Sequence, residues 1–284
     1  MKSSATASPS STPSGRRPRA SAKGILLSRV VWRIRRELGL PLDRIEAAVY
    51  KFGAAYPEAT FVQVGANDGV ARDPLRIQVE RREWQGIMVE PVPYVFKKLE
   101  ARYGDHPRVQ LEMSAIAEQP GVMTFYHLRE ATEGEAVWNW YHALGSFRRE
   151  VVLSHKSFIP DIEDRLVETQ VRCTDFDSLC RRGGLTHLDL LQMDTEGYDY
   201  QILRSIDLDT WRPRLVIYEH HHLSPGDRQA ARDLLTSAGY LTFEHGLDTA
   251  ALDATRLGSS DRALHKLFVT TPDRPAPRSA ERAD

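Results

Sequence analysis

The sequence has few cysteines and no long apolar run. Only Cys173 and Cys180 are present among 284 residues, and their spacing matches no zinc motif. Two cysteines are too few for a disulfide framework, so they favour a reducing compartment, and we expect a cytoplasmic protein. No apolar run approaches the roughly 20 residues that cross a bilayer, so no transmembrane segment is expected.

Basic residues are not in excess after residue 40. The first 40 residues hold nine basic residues and one acidic residue, whereas residues 41–284 hold 29 basic and 38 acidic residues. Recognition of nucleic acid needs a basic patch or stripe, so the main part of the chain is not expected to bind nucleic acid. The basic segment at the start of the chain is a candidate contact for an anionic partner or a membrane surface.

Both ends of the chain lack the apolar content of a folded domain. Residues 1–22 are rich in Ser, Pro and Arg, and residues 273–284 are rich in Arg, Ala and Pro, so both are predicted to be disordered tails. The first tail also has the Arg-rich, acid-poor character of a transit peptide, although a solvated basic tail is the simpler interpretation. Residues 23–56 are predicted to form helices, and residues 57–272 the main domain.

Strand and helix patterns alternate through the main domain. Strands are predicted at 60–66, 86–90, 109–116, 122–128, 187–193, 214–219, 240–245 and about 264–270. One of the helices between them has Ser224 as its N-cap, Pro225 as its first residue and Gly239 as its stop. Strands that alternate with helices indicate a parallel sheet covered on both faces. Residues 129–168 break the alternation and are predicted to be an insertion over one end of the sheet.

A loop with two glycines follows the first predicted strand, in the sequence FVQVGANDG at 61–69. Gly65 and Gly69 allow the backbone to turn tightly and to approach a ligand, while Asn67 and Asp68 place polar groups beside it. A dinucleotide favours G-x-G-x-x-G, and the third glycine is missing here. Asp68 would also repel a pyrophosphate, so a nucleoside with a cationic group suits the loop better.

Polar residues also follow the other predicted strands. In chain order they are Glu90, Ser114 with Ala115, Asp194, Glu196, and the run from Glu219 to His222. Ligands of parallel sheets bind at the carboxyl ends of the strands, where a carboxylate such as Glu90 can accept ribose hydroxyls. Ordinary capping roles remain open for Glu90 and Glu196, and Ser114 also suits a plain strand end.

Taken in order, these motifs resemble the FkbM family of S-adenosylmethionine-dependent methyltransferases. The matching segments are FVQVGANDG, MVEPVP, MSAIAE with MTFYHL, CTDFDSL, LDLLQMDTEGYDYQILRSID and LVIYEHHHLS, which cover about 60–245. The resemblance implies an α/β, Rossmann-like class I methyltransferase fold. Its seven-stranded sheet would be mostly parallel, with the last strand antiparallel and helices on both faces. It also implies methyl transfer from S-adenosylmethionine, usually to a hydroxyl oxygen of a carbohydrate or another small molecule.

The resemblance further implies which residues bind the cofactor. These are Gly65, Asn67 and Gly69 for the methionine part or the ribose, Glu90 for the ribose hydroxyls, Ser114 and Ala115 near the adenine, and Asp194 and Glu196 beside the methyl donor. Many relatives have an aspartate in place of Gln63 and a lysine in place of Gln192. Cofactor affinity is therefore expected to differ from that of such relatives, and a mechanism that needs the lysine is not expected here.

Methyl transfer to an alcohol requires a group that removes the hydroxyl proton. We expect this general base to be Asp194 or one of the histidines at 220–222, with His221 as the first choice. The spacing of the acidic residues forms no metal motif, and a divalent metal held by Asp194, Glu196 and Glu219 is the alternative.

The insertion is predicted to close over the acceptor. Trp138, Trp140 and Tyr141 would either stack on a sugar or aliphatic ring or pack in the core of the insertion. Two other functions remain open, namely a catalytically silent binding module with the same fold and a nicotinamide-dependent oxidoreductase. The cofactor that binds distinguishes them.

Overall fold

A computed structural model of the chain describes residues 43–270. The predicted tails, 1–22 and 273–284, and the first of the helices predicted within 23–56 lie outside this range. The second of these helices is α1, Arg44–Ala55, and it begins after Asp43, whose side chain accepts the N–H of Glu46 at 2.9 Å. Between residues 43 and 270, no helix is both long and apolar enough to cross a membrane.

The described residues form eleven strands. They are β1 Thr60–Val64, β2 Gln85–Val89, β3 Val109–Glu112, β4 Ala115–Ile116, β5 Gly121–Leu128, β6 Gly145–Ser146, β7 Leu166–Thr174, β8 Leu190–Met193, β9 Leu215–Glu219, β10 Tyr240–His245 and β11 Asp248–Asp253. The further helices are α2 Arg76–Arg81, α3 Pro93–Tyr103, α4 Arg149–Leu153, α5 Ile162–Arg165, α6 Phe176–Arg182, α7 Asp199–Ser205, α8 Pro225–Ser237 and α9 Arg262–Val269.

Seven strands form the main sheet, in the order β10-β11-β9-β8-β1-β2-β3. Its pairs are parallel except those of β11, which runs antiparallel to β9 and β10. This confirms the predicted fold, a mostly parallel seven-stranded sheet with its last strand antiparallel. The strand order reverses between β1 and β8, and ligands of such sheets bind in the crevice at that point.

Helices cover both faces of the main sheet, because its central strands are buried on both sides. In β1, Phe61 packs with Phe52 of α1 and Trp84, whereas Val62 packs with Leu179 of α6 on the opposite face. Successive side chains of a strand point to opposite faces, so one short apolar strand supplies both cores. Each such fully buried side chain contributes about 1.5–3 kcal/mol.

A second sheet contains four strands in the order β4-β7-β5-β6. The predicted strand 109–116 is divided, because β3 belongs to the main sheet and β4 pairs with β7. The sequence pattern did not indicate β7, whose exposed and buried residues are mixed. The connection between β5 and β7 has a separate apolar cluster that includes Tyr141, Val152 and Ile162.

The prediction of a strand at about 264–270 was wrong. These residues lie almost entirely in α9, where Leu264 and Phe268 are spaced by one helical turn and both join the core beside Phe243. The last strand is instead β11, which forms a hairpin with β10. Its sequence, DTAALD, is short and rich in alanine, and Ala250 and Ala251 are fully buried.

Candidate functional site

The candidate site lies at the carboxyl ends of the parallel strands. We call this region the carboxyl edge, and it comprises the loop 65–69 after β1, Glu90 after β2, Ser114 after β3, residues 194–196 after β8, and residues 219–222 at the end of β9. Parallel strands end at the same edge of a sheet, so the structure brings together the polar residues that the sequence had separated.

The loop after β1 has a left-handed backbone at Gly65, Asn67 and Gly69, with φ values of +77°, +51° and +68°. A Cβ atom on Gly65 would lie 1.9 Å from the backbone oxygen of Asp194, so only glycine allows β1 and β8 to end this close together. A Cβ atom on Gly69 would lie 2.5 Å from the ring of Tyr103. Packing against α3 therefore explains the second glycine.

The backbone N–H groups that follow this loop are occupied by the chain's own carboxylates. Asp68 Oδ1 accepts the N–H groups of Val70 and Ala71, both at 2.9 Å. Asp73 Oδ1 accepts the N–H of Leu75 at 2.8 Å and that of the next residue at 3.3 Å. A pyrophosphate would need such N–H groups to be available and would face two negative charges instead.

Glu90 bridges two loops of the carboxyl edge. Its two carboxylate oxygens accept the N–H of Asn67 at 3.0 Å and that of Val92 at 2.9 Å. Burial raises the pKa of Glu90 to about 7, and the negative charges of Asp194 and Asp68 add to this shift, whereas the two hydrogen bonds oppose it. Each oxygen retains a second lone pair for a ligand hydroxyl. Asn67 Oδ1 is buried and has no hydrogen-bond partner among the described residues.

Ser114 and Ala115, the two residues predicted to lie near an adenine, have different surroundings. Ser114 is 2% exposed, and its Oγ atom has no partner in the described part of the chain. Ala115 begins β4 and packs with Val92 and Phe125 in the core of the second sheet. Ser114 is therefore the member of the pair with a polar group to offer a ligand.

Asp194 and Glu196 follow β8 at the crevice. Asp194 is exposed to solvent, yet loss of solvation beside the surrounding protein raises its pKa to about 7; the charge of Glu196 adds to this shift, and that of Arg72 opposes it. Burial likewise raises the pKa of Glu196 to about 7. Glu196 has a left-handed backbone with φ +51°, and its carbonyl accepts the Oγ–H of Ser146 at 2.7 Å.

Glu219 is the third carboxylate of this group and is 4% exposed. Burial raises its pKa well above the usual value, and the charges of Glu196 and Asp194 add to the effect. Its Oε2 atom has no hydrogen-bond partner among the described residues. Beneath it, buried Asp199 accepts the N–H of Glu219 at 3.2 Å and the hydroxyl of Thr195 at 2.7 Å.

The three consecutive histidines have different surroundings. His220 is buried, with Nδ1 2.9 Å from Thr249 Oγ1, and burial lowers its pKa to about 4. His221 is exposed, and its ring meets that of His222 edge-on at a centroid distance of 4.7 Å. His222 is half-buried, with Nε2 3.0 Å from Glu196 Oε2. His222 is therefore the histidine that lies against the carboxylates, whereas a catalytic role for His221 stays a prediction.

Sequence reasoning missed a fourth histidine, His155, which lies in the connection between β5 and β7. Its ring is 5.3 Å from that of His222 and 5.5 Å from that of Trp140. Donor atoms of His155, Glu196 and His222 all lie within 4.8 Å of one another. Burial lowers the pKa of both imidazoles, which favours their neutral form. His155 lies in a non-periodic segment, and no pattern beyond its residue type indicated a functional role.

The aromatic residues of the insertion pack mainly with one another. Trp138 and Trp140 stack with their ring centroids 6.0 Å apart, and both meet Phe158 edge-on. Tyr141 is fully buried, so core packing is the right interpretation for this residue. A cavity of about 470 Å³ lies beside Trp138, Tyr141 and Phe158, and none of the carboxyl-edge residues lines it.

The two departures from the family pattern are neighbours. Gln63 of β1 and Gln192 of β8 are partners in register, and both are buried. Gln63 Nε2 donates to Asp73 Oδ1 at 3.0 Å. Two uncharged amides thus lie side by side on the central strands β1 and β8. The hydrogen bond to Asp73 directs the Gln63 side chain toward the start of α2.

Several solved methyltransferase structures are similar to this chain at low sequence identity. The methyltransferase FkbM from Methylobacillus flagellatus KT is 13% identical, with a TM-score of 0.41; the match covers 69% of this chain and 44% of that one. The O-methyltransferase TomG from Streptomyces achromogenes, in complex with S-adenosylmethionine, is 12% identical, with a TM-score of 0.38 and coverages of 80% and 88%. The chain thus spans less than half the length of the first of these proteins. No curated protein sequence matches it significantly.

The family comparison agrees with the motifs and with the strand order. Residues 63–242 match the methyltransferase FkbM domain, which is more than half of the chain. This segment begins in β1 and ends in β10, and it includes every residue of the carboxyl edge. The chain belongs to the FkbM methyltransferase family.

Proposed function

We propose that this protein transfers a methyl group from S-adenosylmethionine to a hydroxyl oxygen of a small molecule or carbohydrate. The observation that carries the proposal is the charge of the carboxyl edge, where Glu90, Asp194, Glu196 and Glu219 converge and each has a raised pKa. S-adenosylmethionine has a sulfonium and an ammonium group. A cationic ligand of this kind offsets the repulsion among these carboxylates, whereas an anionic ligand increases it.

The unpartnered polar atoms of the edge fit the rest of the cofactor. Glu90 has lone pairs for the ribose hydroxyls, Asn67 Oδ1 is a buried acceptor without a partner, and Ser114 Oγ is a buried hydroxyl without one. Buried polar groups are normally hydrogen-bonded, so such atoms at a crevice support the presence of a ligand there. Gly65 allows the loop after β1 to lie directly against the backbone of Asp194, because a side chain at this position would overlap the Asp194 carbonyl.

When bound, the cofactor supplies an electrophilic methyl group. The protein has to hold the acceptor oxygen in line with that group, and such positioning removes about 7–11 kcal/mol of the barrier. It must also take the hydroxyl proton, which contributes roughly 10²- to 10⁴-fold in rate. We assign this task to Asp194, because this residue is exposed at the carboxyl edge and its backbone lies against Gly65. His221 is the second candidate, since its exposed ring lies next to His222.

We assign acceptor binding to the insertion. Ser146 connects the insertion to the loop after β8 through its hydrogen bond to the carbonyl of Glu196. Next to it, Phe147 packs against Tyr198, with their ring centroids 4.7 Å apart. The cavity beside Trp138 lies on the same segment and is lined largely by apolar residues, so it suits an aliphatic or ring portion of an acceptor.

A nicotinamide-dependent oxidoreductase fits these observations less well. Its dinucleotide contains a pyrophosphate, while Asp68 and Asp73 already occupy the N–H groups beside the loop. A catalytically silent module would bind S-adenosylmethionine without turnover, so binding and turnover have to be measured separately.

The test combines cofactor binding with release of S-adenosylhomocysteine in the presence of a panel of hydroxylated small molecules and sugars. Glu90→Ala is expected to weaken cofactor binding at least about tenfold, since it removes an acceptor of two hydrogen bonds. Asp194→Asn should lower turnover by roughly 10²- to 10⁴-fold, which is more than its effect on the cofactor Kd. Asp233→Asn, an exposed aspartate on α8, is the matched control.

Three results would overturn parts of the proposal. Full turnover by Asp194→Asn together with loss of turnover by His221→Ala would assign the base to His221. Cofactor binding without release of S-adenosylhomocysteine for any acceptor would favour the silent module. Binding of NAD in place of S-adenosylmethionine would exclude methyl transfer.

A further inference from the structure

We propose that His155, Glu196 and His222 bind a divalent first-row transition metal ion, at the contact between the insertion and the carboxyl edge. The site joins three separate parts of the chain, namely the turn after α4, the loop after β8 and the segment after β9. It differs from the all-carboxylate set that the sequence suggested, because two of its three ligands are imidazoles.

The distances place these side chains close to a coordinating arrangement. Their donor atoms lie within 4.8 Å of one another, and His222 Nε2 is 3.0 Å from Glu196 Oε2. Nitrogen and oxygen ligands lie about 2.0–2.2 Å from a metal such as zinc, so they are about 3–3.5 Å apart. The histidine contributed by the insertion therefore needs to approach by only roughly 1 Å, within the reach of side-chain rotation.

The orientation of His155 suits a metal ligand. Its Nδ1 atom lies 3.3 Å from the carbonyl oxygen of Val151, and its ring packs against Trp140. Metal-binding histidines commonly donate their second ring nitrogen to a backbone carbonyl, which fixes the tautomer and the ring orientation. In the same way, the hydrogen bond from Ser146 to the carbonyl of Glu196 fixes the backbone of the carboxylate ligand.

An independent observation comes from Glu219. This residue is 4% exposed, its Oε1 atom lies 3.8 Å from His222 Nε2, and its Oε2 atom has no partner among the described residues. A buried carboxylate without a cation or a hydrogen bond is energetically costly. A dication beside His222 would supply the missing charge, with Glu219 as a neighbouring carboxylate or a fourth ligand.

The ligand set indicates the class of metal. Two imidazole nitrogens and one carboxylate suit Zn²⁺, Fe²⁺, Co²⁺, Ni²⁺ or Mn²⁺, and Mg²⁺ and Ca²⁺ prefer oxygen ligands throughout. Three protein ligands leave positions open for water or a substrate oxygen, as in catalytic zinc sites.

The use of the metal rests on the proposed methyl transfer, whereas its binding does not. A metal ion lowers the pKa of an oxygen that it coordinates, so an acceptor hydroxyl held there would lose its proton to Asp194 or to water more easily. The alkoxide would then form the O–CH₃ bond as the S–CH₃ bond breaks, with S-adenosylhomocysteine as the leaving group.

The test is calorimetric titration of the full-length chain, stripped of metal with a chelator, with Zn²⁺, Mn²⁺ and Mg²⁺ separately. We expect one Zn²⁺ or Mn²⁺ per chain and much weaker binding of Mg²⁺. His155→Ala, Glu196→Gln and His222→Ala should each lose more than the roughly 10- to 100-fold that removal of a supporting residue causes. His187→Ala is the matched control, because His187 Nε2 lies 3.3 Å from Asp189 at the opposite edge of the sheet.

Co²⁺ provides a second readout that does not depend on affinity or activity. Its visible absorption bands report histidine ligation, and they should appear in the wild-type chain and in His187→Ala but be lost in His155→Ala. Thermal melting of each metal-free variant checks that it is folded.

Two outcomes would overturn the proposal. One is a full-length chain that binds none of these ions more tightly than the His155→Ala variant does. The other is Mg²⁺ binding that Asp194→Asn removes and His155→Ala retains, which would support the all-carboxylate site. Metal binding without S-adenosylmethionine binding would support the metal site and contradict the proposed function. Binding of S-adenosylmethionine without any metal binding would support the proposed function and contradict the metal site.

Discussion

Buried carboxylates at the two edges of the main sheet have pKa values shifted in opposite directions. At the amino edge, where the parallel strands begin, Asp253 lies between Arg212 and Arg256, whose Nε atoms are 2.8 and 2.7 Å from its carboxylate. These guanidinium groups hold the pKa of Asp253 well below its usual value despite its burial. At the carboxyl edge, Glu90 and Glu219 are also buried, yet burial and neighbouring carboxylates raise their pKa values.

This difference separates residues that stabilise the fold from residues that the proposed function assigns to a ligand. A buried carboxylate that keeps its cationic partners has its desolvation offset, whereas a group of unpaired ones reduces stability. The chain places arginines beside the carboxylates of one edge, and at the other edge the cation that opposes the shift of Asp194 is Arg72, an exposed residue. In the proposed function, the stability that is given up at the carboxyl edge is recovered when the cationic cofactor binds.

The largest effect is expected from Asp253→Asn. This change leaves Arg212 and Arg256 without their carboxylate, and breaking a buried ion pair typically costs about 3–5 kcal/mol. The free energy of unfolding in urea should fall by this amount, with cofactor binding unaltered in the folded protein. Glu163→Gln breaks the exposed pair with Lys156 and should cost less than about 1 kcal/mol. Equal effects of the two substitutions would contradict the assignment of Asp253 to the stabilising edge.

The next effect is a pH dependence that Glu90→Gln should remove. The pKa of Glu90 in the folded protein is about 7, above the usual 4.5, so the folded state binds this proton more tightly than the unfolded state. The contribution of Glu90 to stability is therefore present below pH 4.5 and is lost as the pH rises through 7. Between pH 4.5 and 8, the wild type should lose up to roughly 3 kcal/mol relative to Glu90→Gln.

This prediction is checked by urea unfolding of both proteins at several pH values. The substitution also changes the hydrogen bonds to Asn67 and Val92, but that change adds an offset that is independent of pH. A difference between the two proteins that stays constant with pH would show that Glu90 has an ordinary pKa.

The smallest effect compares two buried serines. Ser146 Oγ donates to the carbonyl of Glu196 at 2.7 Å, whereas Ser114 Oγ has no partner in the described residues. Ser146→Ala should therefore destabilise the protein by about 1–2 kcal/mol, and Ser114→Ala should be neutral or stabilising by up to about 1 kcal/mol. Thermal melting measures both. A clear loss of stability in Ser114→Ala would show that its hydroxyl has a structural partner and is not available to a ligand.

The sequence was sufficient for the parallel strands of the main sheet and for most of the carboxyl edge. Apolar runs that alternate with helices specify a parallel sheet, and a residue directly after such a run has to lie at its carboxyl end. The positions of Glu90, Asp194 and Glu196 follow from this rule alone. The N-cap Ser224 and the stop at Gly239 were also predicted correctly, since local hydrogen bonds and backbone conformation define both.

Features that depend on long-range contacts could not be predicted. Strand β7 is specified by pairing with β5 across the whole insertion, and β11 by burial of its alanines beside β9. The orientations of the histidines also escaped the pattern. The N–H groups of His220 and His221 both donate to the carbonyl of Leu247, so strand alternation stops there and His222 turns to Glu196. His155 joins the site only through the folding of the insertion.

The most direct test of the central claim is the melting temperature of the full-length chain with S-adenosylmethionine and, separately, with NAD. At a hundredfold excess over Kd, a ligand adds about 2.7 kcal/mol to the stability of the folded state. For a domain of this size, we expect a rise of roughly 5–10 °C with S-adenosylmethionine, and none with NAD. The rise should be smaller in Glu90→Gln. A shift with NAD and none with S-adenosylmethionine would contradict the account of the carboxyl edge as a site for a cationic cofactor.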